Sequence, residues 1–229
     1  LTAQYAVYAS NGTAKPIRFS IDADGKPSPV VIEHRKSGRE VTVAAATNGR
    51  NLLTVWNDQP GEWNTVGIFG RVDAGPARAL SLSANEQKSA AIAHGGGLDL
   101  VVWRDESGVY AARLDVAGRS LDGAGVLLGA SPYSGAPAVA FDGTEFVVAW
   151  NEEPYGPYAE IHGAVRFVSP AEGLLPGALS IDGLRSGPAL IRGGDGTFIA
   201  WTDASIVSTV YAARISSATR AFEGSPMRT

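Results

Sequence analysis

Five times along the chain an apolar run closes on an aromatic residue, and in four of the five an acid follows two positions later. The clearest copy is Leu98-Asp99-Leu100-Val101-Val102-Trp103-Arg104-Asp105. It returns around Trp56 with Asp58, around Trp150 with Glu152 and around Trp201 with Asp203, while Tyr5-Ala6-Val7-Tyr8 is a weaker opening copy. From Tyr8 through Trp56, Trp103, Trp150 and Trp201 the spacings are 48, 47, 47 and 51 residues. A fixed period of this size marks a repeat architecture, in which each unit buries its apolar surface only against its neighbours.

Around each aromatic the repeat divides into short strands. In the third repeat Ser89–Ala93 is a strand of small residues, His94-Gly95-Gly96-Gly97 a tight turn, and Leu98–Trp103 the central strand. Val109–Asp115 and Gly125–Leu128 follow as third and fourth strands. The Asn48-Gly49 and Asp142-Gly143 pairs sit at the equivalent first turn, where two residues tolerant of positive φ signal a two-residue hairpin. With 28 Gly, 13 Pro and no helical periodicity, the pattern predicts an all-β chain throughout. Four-stranded units with Ala and Gly innermost and aromatics further out predict a five-bladed, antiparallel β-propeller. Its blades would span about 1–38, 39–86, 87–134, 135–184 and 185–229 in one domain. The alternative is part of a larger propeller.

The first repeat shows no inner strand before Tyr5, so its blade is expected to have three strands. The backbone of Gln4–Ser10 would then be free to accept a strand donated by another segment or subunit.

The pattern Pro137-Ala138-Val139-Ala140-x-Asp142-Gly143-x-x-Phe146-Val147-Val148-Ala149-Trp150-Asn151-Glu152, with an Arg on the next strand, resembles the propeller repeats of bacterial secreted and cell-surface proteins. The resemblance implies a propeller fold and an extracellular or cell-surface location.

Composition narrows the partners. A net charge of −4 with no basic stripe argues against nucleic acid, and no apolar run reaches the length of a membrane-spanning helix. No cysteine is present, and His34, His94 and His162 stand too far apart for a metal-ligand spacing, so neither cofactor nor metal is expected. Asp22 and Asp24 before Gly25 lack the acid spacing of a calcium loop, and Gly95-Gly96-Gly97 is a hairpin turn rather than a phosphate loop.

Asp58, Asp105, Glu152 and Asp203 recur at one offset, as do Arg71, Arg113, Arg166 and Arg214 on the third strands. One residue per repeat reads as structural, an ion pair or a turn cap, because a catalytic site would break the symmetry. What does break it is loop length. The second-to-third-strand connections gain Gln59–Asn64, with Glu62 and Trp63, and Glu153–Tyr158, with Glu153, Tyr155 and Tyr158. Aromatics on proline-stiffened loops suit sugar stacking or a protein anchor. The expectation is a non-catalytic binding or scaffold module for a glycan or protein, with Glu62, Trp63, Glu153, Tyr155 and Tyr158 as its ligand-binding residues. The rival is a carbohydrate-active propeller enzyme using unrepeated acids such as Glu62, Glu153 or Glu160. A structural subunit or fragment of a larger surface assembly is the third reading.

Overall fold

The computed structural model describes residues 3–7, 17–21, 27–31, 43–58, 66–73, 75–83, 85–152, 161–203 and 209–228, the first three segments as backbone only. The described residues form 21 strands and no helix. The first sheet is β1 (Ala3–Val7), β2 (Ile17–Ile21) and β3 (Pro27–Val31). The second is β4 (Val43–Thr47), β5 (Leu52–Asp58), β6 (Gly67–Val72) and β7 (Arg78–Ser81). The third is β8 (Lys88–Gly95), β9 (Leu98–Asp105), β10 (Gly108–Leu114) and β11 (Val126–Gly129). The fourth is β12 (Ala138–Phe141), β13 (Phe146–Glu152), β14 (His162–Ser169), β15 (Gly173–Leu174) and β16 (Leu179–Asp182). The fifth is β17 (Ala189–Gly193), β18 (Gly196–Asp203), β19 (Thr209–Ser216), β20 (Ala221–Phe222) and β21 (Met227–Arg228). Every pairing is antiparallel, and each sheet runs in sequence order from its inner strand outwards.

The inner strands touch in series, β1 to β4, β4 to β8, β8 to β12 and β12 to β17, so the sheets radiate as blades of a β-propeller. Crowding near the axis dictates the small residues there. A Cβ built on Gly95 would fall 1.9 Å from the Phe141 ring of the neighbouring inner strand.

Between blades the apolar faces interlock. Val101 and Trp103 pack with Leu53, Val55, Ile68 and Leu80 of the second sheet. Trp150 enters a cluster with Leu98, Leu100, Val102 and Val109 of the third. Trp201 and Ile199 meet Val147, Ala149, Val165 and Phe167 of the fourth. Trp103, Trp150 and Trp201 thus each fill the gap to the preceding sheet. Three tryptophans also stack on their cross-strand partner: Trp56 on Phe69, Trp103 on Tyr110 and Trp201 on Tyr211, with centroids 6.4, 6.0 and 5.8 Å apart.

Two details depart from the sequence expectations, and a third agrees with them. Gly96 and Gly97, with φ of 58° and 81°, do form a two-residue turn, but the Asn-Gly and Asp-Gly turns do not. There only the glycine has positive φ (84° at Gly49, 118° at Gly143), and the loop is four residues long. The preceding side chain caps it instead: Asn48 Oδ1 accepts from the N–H groups of Arg50 and Asn51, and Asp142 Oδ1 from those of Thr144 and Glu145. The outer strands of the fourth and fifth sheets are each split in two, because Pro176-Gly177 and Gly224-Ser225-Pro226 interrupt the ladder. Finally, β1 sits at the edge of a three-stranded sheet and pairs only with β2 among the described residues. Residues 8–10 of the expected strand-accepting edge, and the Asp22–Gly25 turn, lie outside them.

Two outcomes follow. Trp103 is fully buried between two sheets. Trp103→Ala should therefore lose about 3–5 kcal/mol in a denaturant titration. An unchanged midpoint would remove it from the core. Burial works against the Asp142 carboxylate, yet the backbone N–H groups of Glu145 and Thr144 outweigh it and hold its pKa below the ordinary 3.8. A group depressed in the folded state stabilises above its unfolded pKa and loses that contribution as pH falls through the folded value. Asp142→Asn should accordingly flatten the loss of stability below about pH 4, read by denaturant titrations across pH.

Candidate functional site

Within each sheet the second strand runs antiparallel to the inner one, so its C-terminal end lies where the inner strand begins. The second-to-third-strand connections therefore gather on one rim, and Asp58, Asp105, Glu152 and Asp203 stand at their feet. The registers pair these acids with Gly67, Gly108, His162 and Thr209. The same registers place Arg71 opposite Thr54, Arg113 opposite Leu100, Arg166 opposite Val148 and Arg214 opposite Phe198. Four to five residues of strand, at roughly 3.3 Å each, put acid and arginine on opposite rims.

The arginines bind at home. Arg113 pairs with Asp122 at 2.6 Å and donates to the Pro170 and Ala171 carbonyls, clamping the third sheet to the fourth. Arg166 donates to the Gly177 carbonyl at 3.1 Å, and Arg214 binds Asp195 and Glu223. Arg71 lines a small cavity on this rim with Leu53, Pro76, Arg78 and Gly118. No carboxylate lines that cavity.

The acids, by contrast, do not repeat their roles. Asp105 caps a turn, accepting from the Ser107 N–H at 2.7 Å. Asp203 pairs with Arg185 at 3.2 Å. Glu152, one methylene longer, reaches two partners at once: the Trp150 indole N–H donates to its Oε1 at 2.9 Å, and His162 Nε2 lies 3.1 Å from its Oε2. The other strand ends pair a tryptophan with an aromatic, whereas Trp150 stands opposite Ala164. The Trp103 and Trp201 indole nitrogens are buried with no hydrogen-bond partner. Symmetry therefore breaks at the fourth sheet.

Glu152 and His162 flank the 153–160 loop, so the pair ties its two ends together. Beside it the loop before β12 folds onto the strand end. Ser134 bridges to Glu152, the Gly135 N–H donates to the Asn151 carbonyl at 2.8 Å, and Tyr133 is half exposed. A carboxylate, an imidazole and an exposed phenol thus share one corner of this rim. His162 and Tyr133 are absent from the sequence-based set. The available signals were a histidine directly after the unrepeated loop, and an exposed aromatic in a Ser-Pro-Tyr-Ser-Gly turn. Glu62, Trp63, Glu153, Tyr155, Tyr158 and Glu160 lie outside the described residues.

A second His–carboxylate pair sits on the opposite rim. His94 Nδ1 lies 2.9 Å from Asp99 Oδ1, and burial pushes the Asp99 carboxyl above its usual range, an effect the His94 bond only partly offsets. Among the described residues no three His, Asp or Glu side chains gather to hold a metal ion, and no helix is long and apolar enough to cross a membrane.

No protein-family model matches the chain, and no curated protein is similar to it in sequence. Its fold has solved counterparts. An exo-1,5-α-L-arabinanase from a bovine ruminal metagenomic library superposes with a TM-score of 0.52 at 10% identity, over 98% of this chain and 95% of that one. A family 43 endo-arabinanase from Bacillus licheniformis gives 0.52 at 12% identity, over 93% and 89%. The chain also superposes on a third of a prolyl endopeptidase, with a TM-score of 0.53 at 12% identity, covering 99% of this chain and 33% of that one.

These neighbours correct the expectation of a non-catalytic binding or scaffold module. The arabinanases share the fold over nearly their whole length, so a propeller of this size is itself a frame for enzymes. The reason for excluding catalysis was repetition of the acids, and that fails as well, since Glu152 bonds the Trp150 indole and His162 whereas the Trp103 and Trp201 indole nitrogens have no partner among the described residues.

The pair yields a prediction. Glu152→Ala leaves a buried indole N–H without its acceptor and should cost about 1–3 kcal/mol. The change should appear both as a lowered unfolding midpoint and as altered tryptophan emission. Identical spectra would show that the Trp150–Glu152 bond does not persist in solution.

Proposed function

We propose that this chain is a five-bladed, carbohydrate-active propeller enzyme that cleaves glycosidic bonds outside the cell. The observation that carries this reading is the end-to-end likeness of fold to two arabinanases. Glycoside cleavage needs a carboxylic acid to protonate the leaving oxygen and a second carboxylate as base or nucleophile. A separation of about 5–5.5 Å gives retention and about 6.5–9.5 Å inversion. Asp105, Asp203 and Glu152 on this rim are engaged by a turn, by Arg185 and by Trp150 with His162. The unrepeated Glu62, Glu153 and Glu160 are the candidates for the two roles, on loops that leave the same rim.

Glu152 and His162 act here as positioning residues, holding the ends of the 153–160 loop. Trp63, Tyr155 and Tyr158 on the connections, and the half-exposed Tyr133, are the aromatic candidates on which sugar rings would stack.

The test is hydrolysis of a panel of polysaccharides, including linear and branched arabinan and arabinoxylan, followed by reducing-end release. The purified chain should act on at least one of them. Two of Glu62→Gln, Glu153→Gln and Glu160→Gln should lower kcat by about 10²–10⁴ without lowering the thermal midpoint. No turnover by the parent chain on the whole panel, or full activity in all three variants, would overturn the reading.

A further inference from the structure

The cavity on the arginine rim, about 70 Å³ in volume, opens between the second and third sheets, and a shift of register accounts for it. Leu53 and Leu100 both stand three residues before the tryptophan of their strand. Leu100 is paired with Arg113, as Phe198 is with Arg214. Leu53 is paired with Val72 instead, because Arg71 falls one position earlier, opposite Thr54. Arg113 spans to the following blade, where it donates to the Pro170 and Ala171 carbonyls and its guanidinium lies beside Gly173. Val72 is too short to do the same. Its methyl stops 3.1 Å from where a Cβ on Gly118 would lie, and it has no polar end. The space that an arginine fills one blade on therefore stays open, walled by Leu53, Val72 and Pro76 and by Ala117 and Gly118.

Both charged residues that line this cavity, Arg71 and Arg78, are cations. Arg78 opens β7 opposite Gly70, two residues before Leu80, which is buried between the second and third sheets. Side chains two apart on a strand share a face, so Arg78 leaves the sheet on the side of the cavity. In the third and fifth sheets a carboxylate meets the third-strand arginine, Asp122 at Arg113 and Glu223 at Arg214. Among the described residues no carboxylate pairs with Arg78. The acids that flank the lining residues in sequence are bound elsewhere. Asp73 accepts from the Leu52 N–H at 3.0 Å, and Asp115 pairs with Arg119 at 2.7 Å.

The chemistry of the walls selects the ligand. The Gly75 N–H donates to the Val72 carbonyl at 2.9 Å, that of Gly118 to the Asp115 carbonyl at 2.8 Å and that of Ala117 to Asp115 Oδ1 at 2.9 Å. A tetrahedral oxyanion such as phosphate is commonly cradled by a nest of backbone N–H groups, and these three are already taken. A planar carboxylate needs only the fork of a guanidinium. The aliphatic sides of Leu53, Val72 and Pro76 suit a hydrocarbon chain. At roughly 30 Å³ for each water-sized group, the cavity takes about two such groups, which limits that chain to a few carbons.

We propose that this cavity is a binding site for short aliphatic carboxylates, with the carboxylate on the Arg78 guanidinium and the chain against Leu53, Val72 and Pro76. It lies on the rim opposite Asp105, Glu152 and Asp203, so it stands independently of the glycoside chemistry proposed there.

The test is a titration of the full chain with sodium propionate, followed by ¹⁵N-resolved amide spectra, with sodium chloride at equal ionic strength as the baseline. The amides of Gly70, Val72 and Gly118 should shift saturably, with half-saturation at about 1–10 mM, a range suited to so small a ligand. Gly108, paired with Asp105 on the acid rim, should not move. Arg78→Gln should weaken binding about tenfold, the loss of one charge-assisted hydrogen bond. Ala117→Leu fills the cavity while leaving both arginines in place, and should weaken binding to a similar extent. Both positions are exposed, so the fold should tolerate the changes, and well-dispersed spectra of the variants would establish that it does. Sodium phosphate should bind more weakly than propionate. A linear drift of the three amides without saturation, binding unchanged in either folded variant, or phosphate binding as tightly as propionate would each overturn the proposal.

Discussion

The second, third and fourth sheets each depend on having an apolar face on both sides. A sheet that meets water on one face alternates apolar and polar residues, but β5, β9 and β13 are buried along almost their whole length. Such a strand is stable only between two others. Burying a side chain such as Leu100, Val148 or Ile199 contributes about 1.5–3 kcal/mol, and only if the neighbouring blade is present. Stability is therefore shared across interfaces rather than stored in blades, and the tryptophans are the largest single contributors at those interfaces.

The same constraint sorts the rest of the surface. Strand interiors are committed to packing, so chemistry is confined to the connections at the two rims. The arginine rim is used for clamps such as Arg113 on Asp122 and on the Pro170 carbonyl, and Arg220 on Glu145, each tying one element to another. On the acid rim the strand ends are held by short local bonds, and the connections vary in length. A scaffold fixed through its sheets, with connections of varying length on one side, is the usual frame for a binding or catalytic site.

Much of this was legible in the residues themselves. The period of the aromatics gives the strand that lies between blades, and the small residues of Ser89–Ala93 give the inner one. Turn geometry was less accessible. Asn48-Gly49 carries the same letters whether both residues take positive φ or the asparagine side chain caps a longer loop, and the latter is what forms. The distinct role of Glu152 was hidden for a similar reason. It occupies the same offset as three aspartates, and only the extra methylene and the alanine opposite Trp150 separate it from them. Nor could sequence show that Phe198 is 39% exposed where Leu100 is fully buried. Phe198 and Ala200 sit at the positions of Leu100 and Val102, and exposure depends on a neighbour rather than on the residue.

The interruption of the outer strands at Pro176 and Pro226 bears on how such a molecule behaves when concentrated. An intact outermost strand offers a row of unpaired backbone groups, the template on which β proteins join edge to edge into fibres. Here the outer edge of the fourth sheet is broken into Gly173–Leu174 and Leu179–Asp182, and that of the fifth into two pairs of residues. No stretch is long enough to seed a continuous ladder. Two prolines therefore make the perimeter of these two blades a poor template for edge-to-edge aggregation.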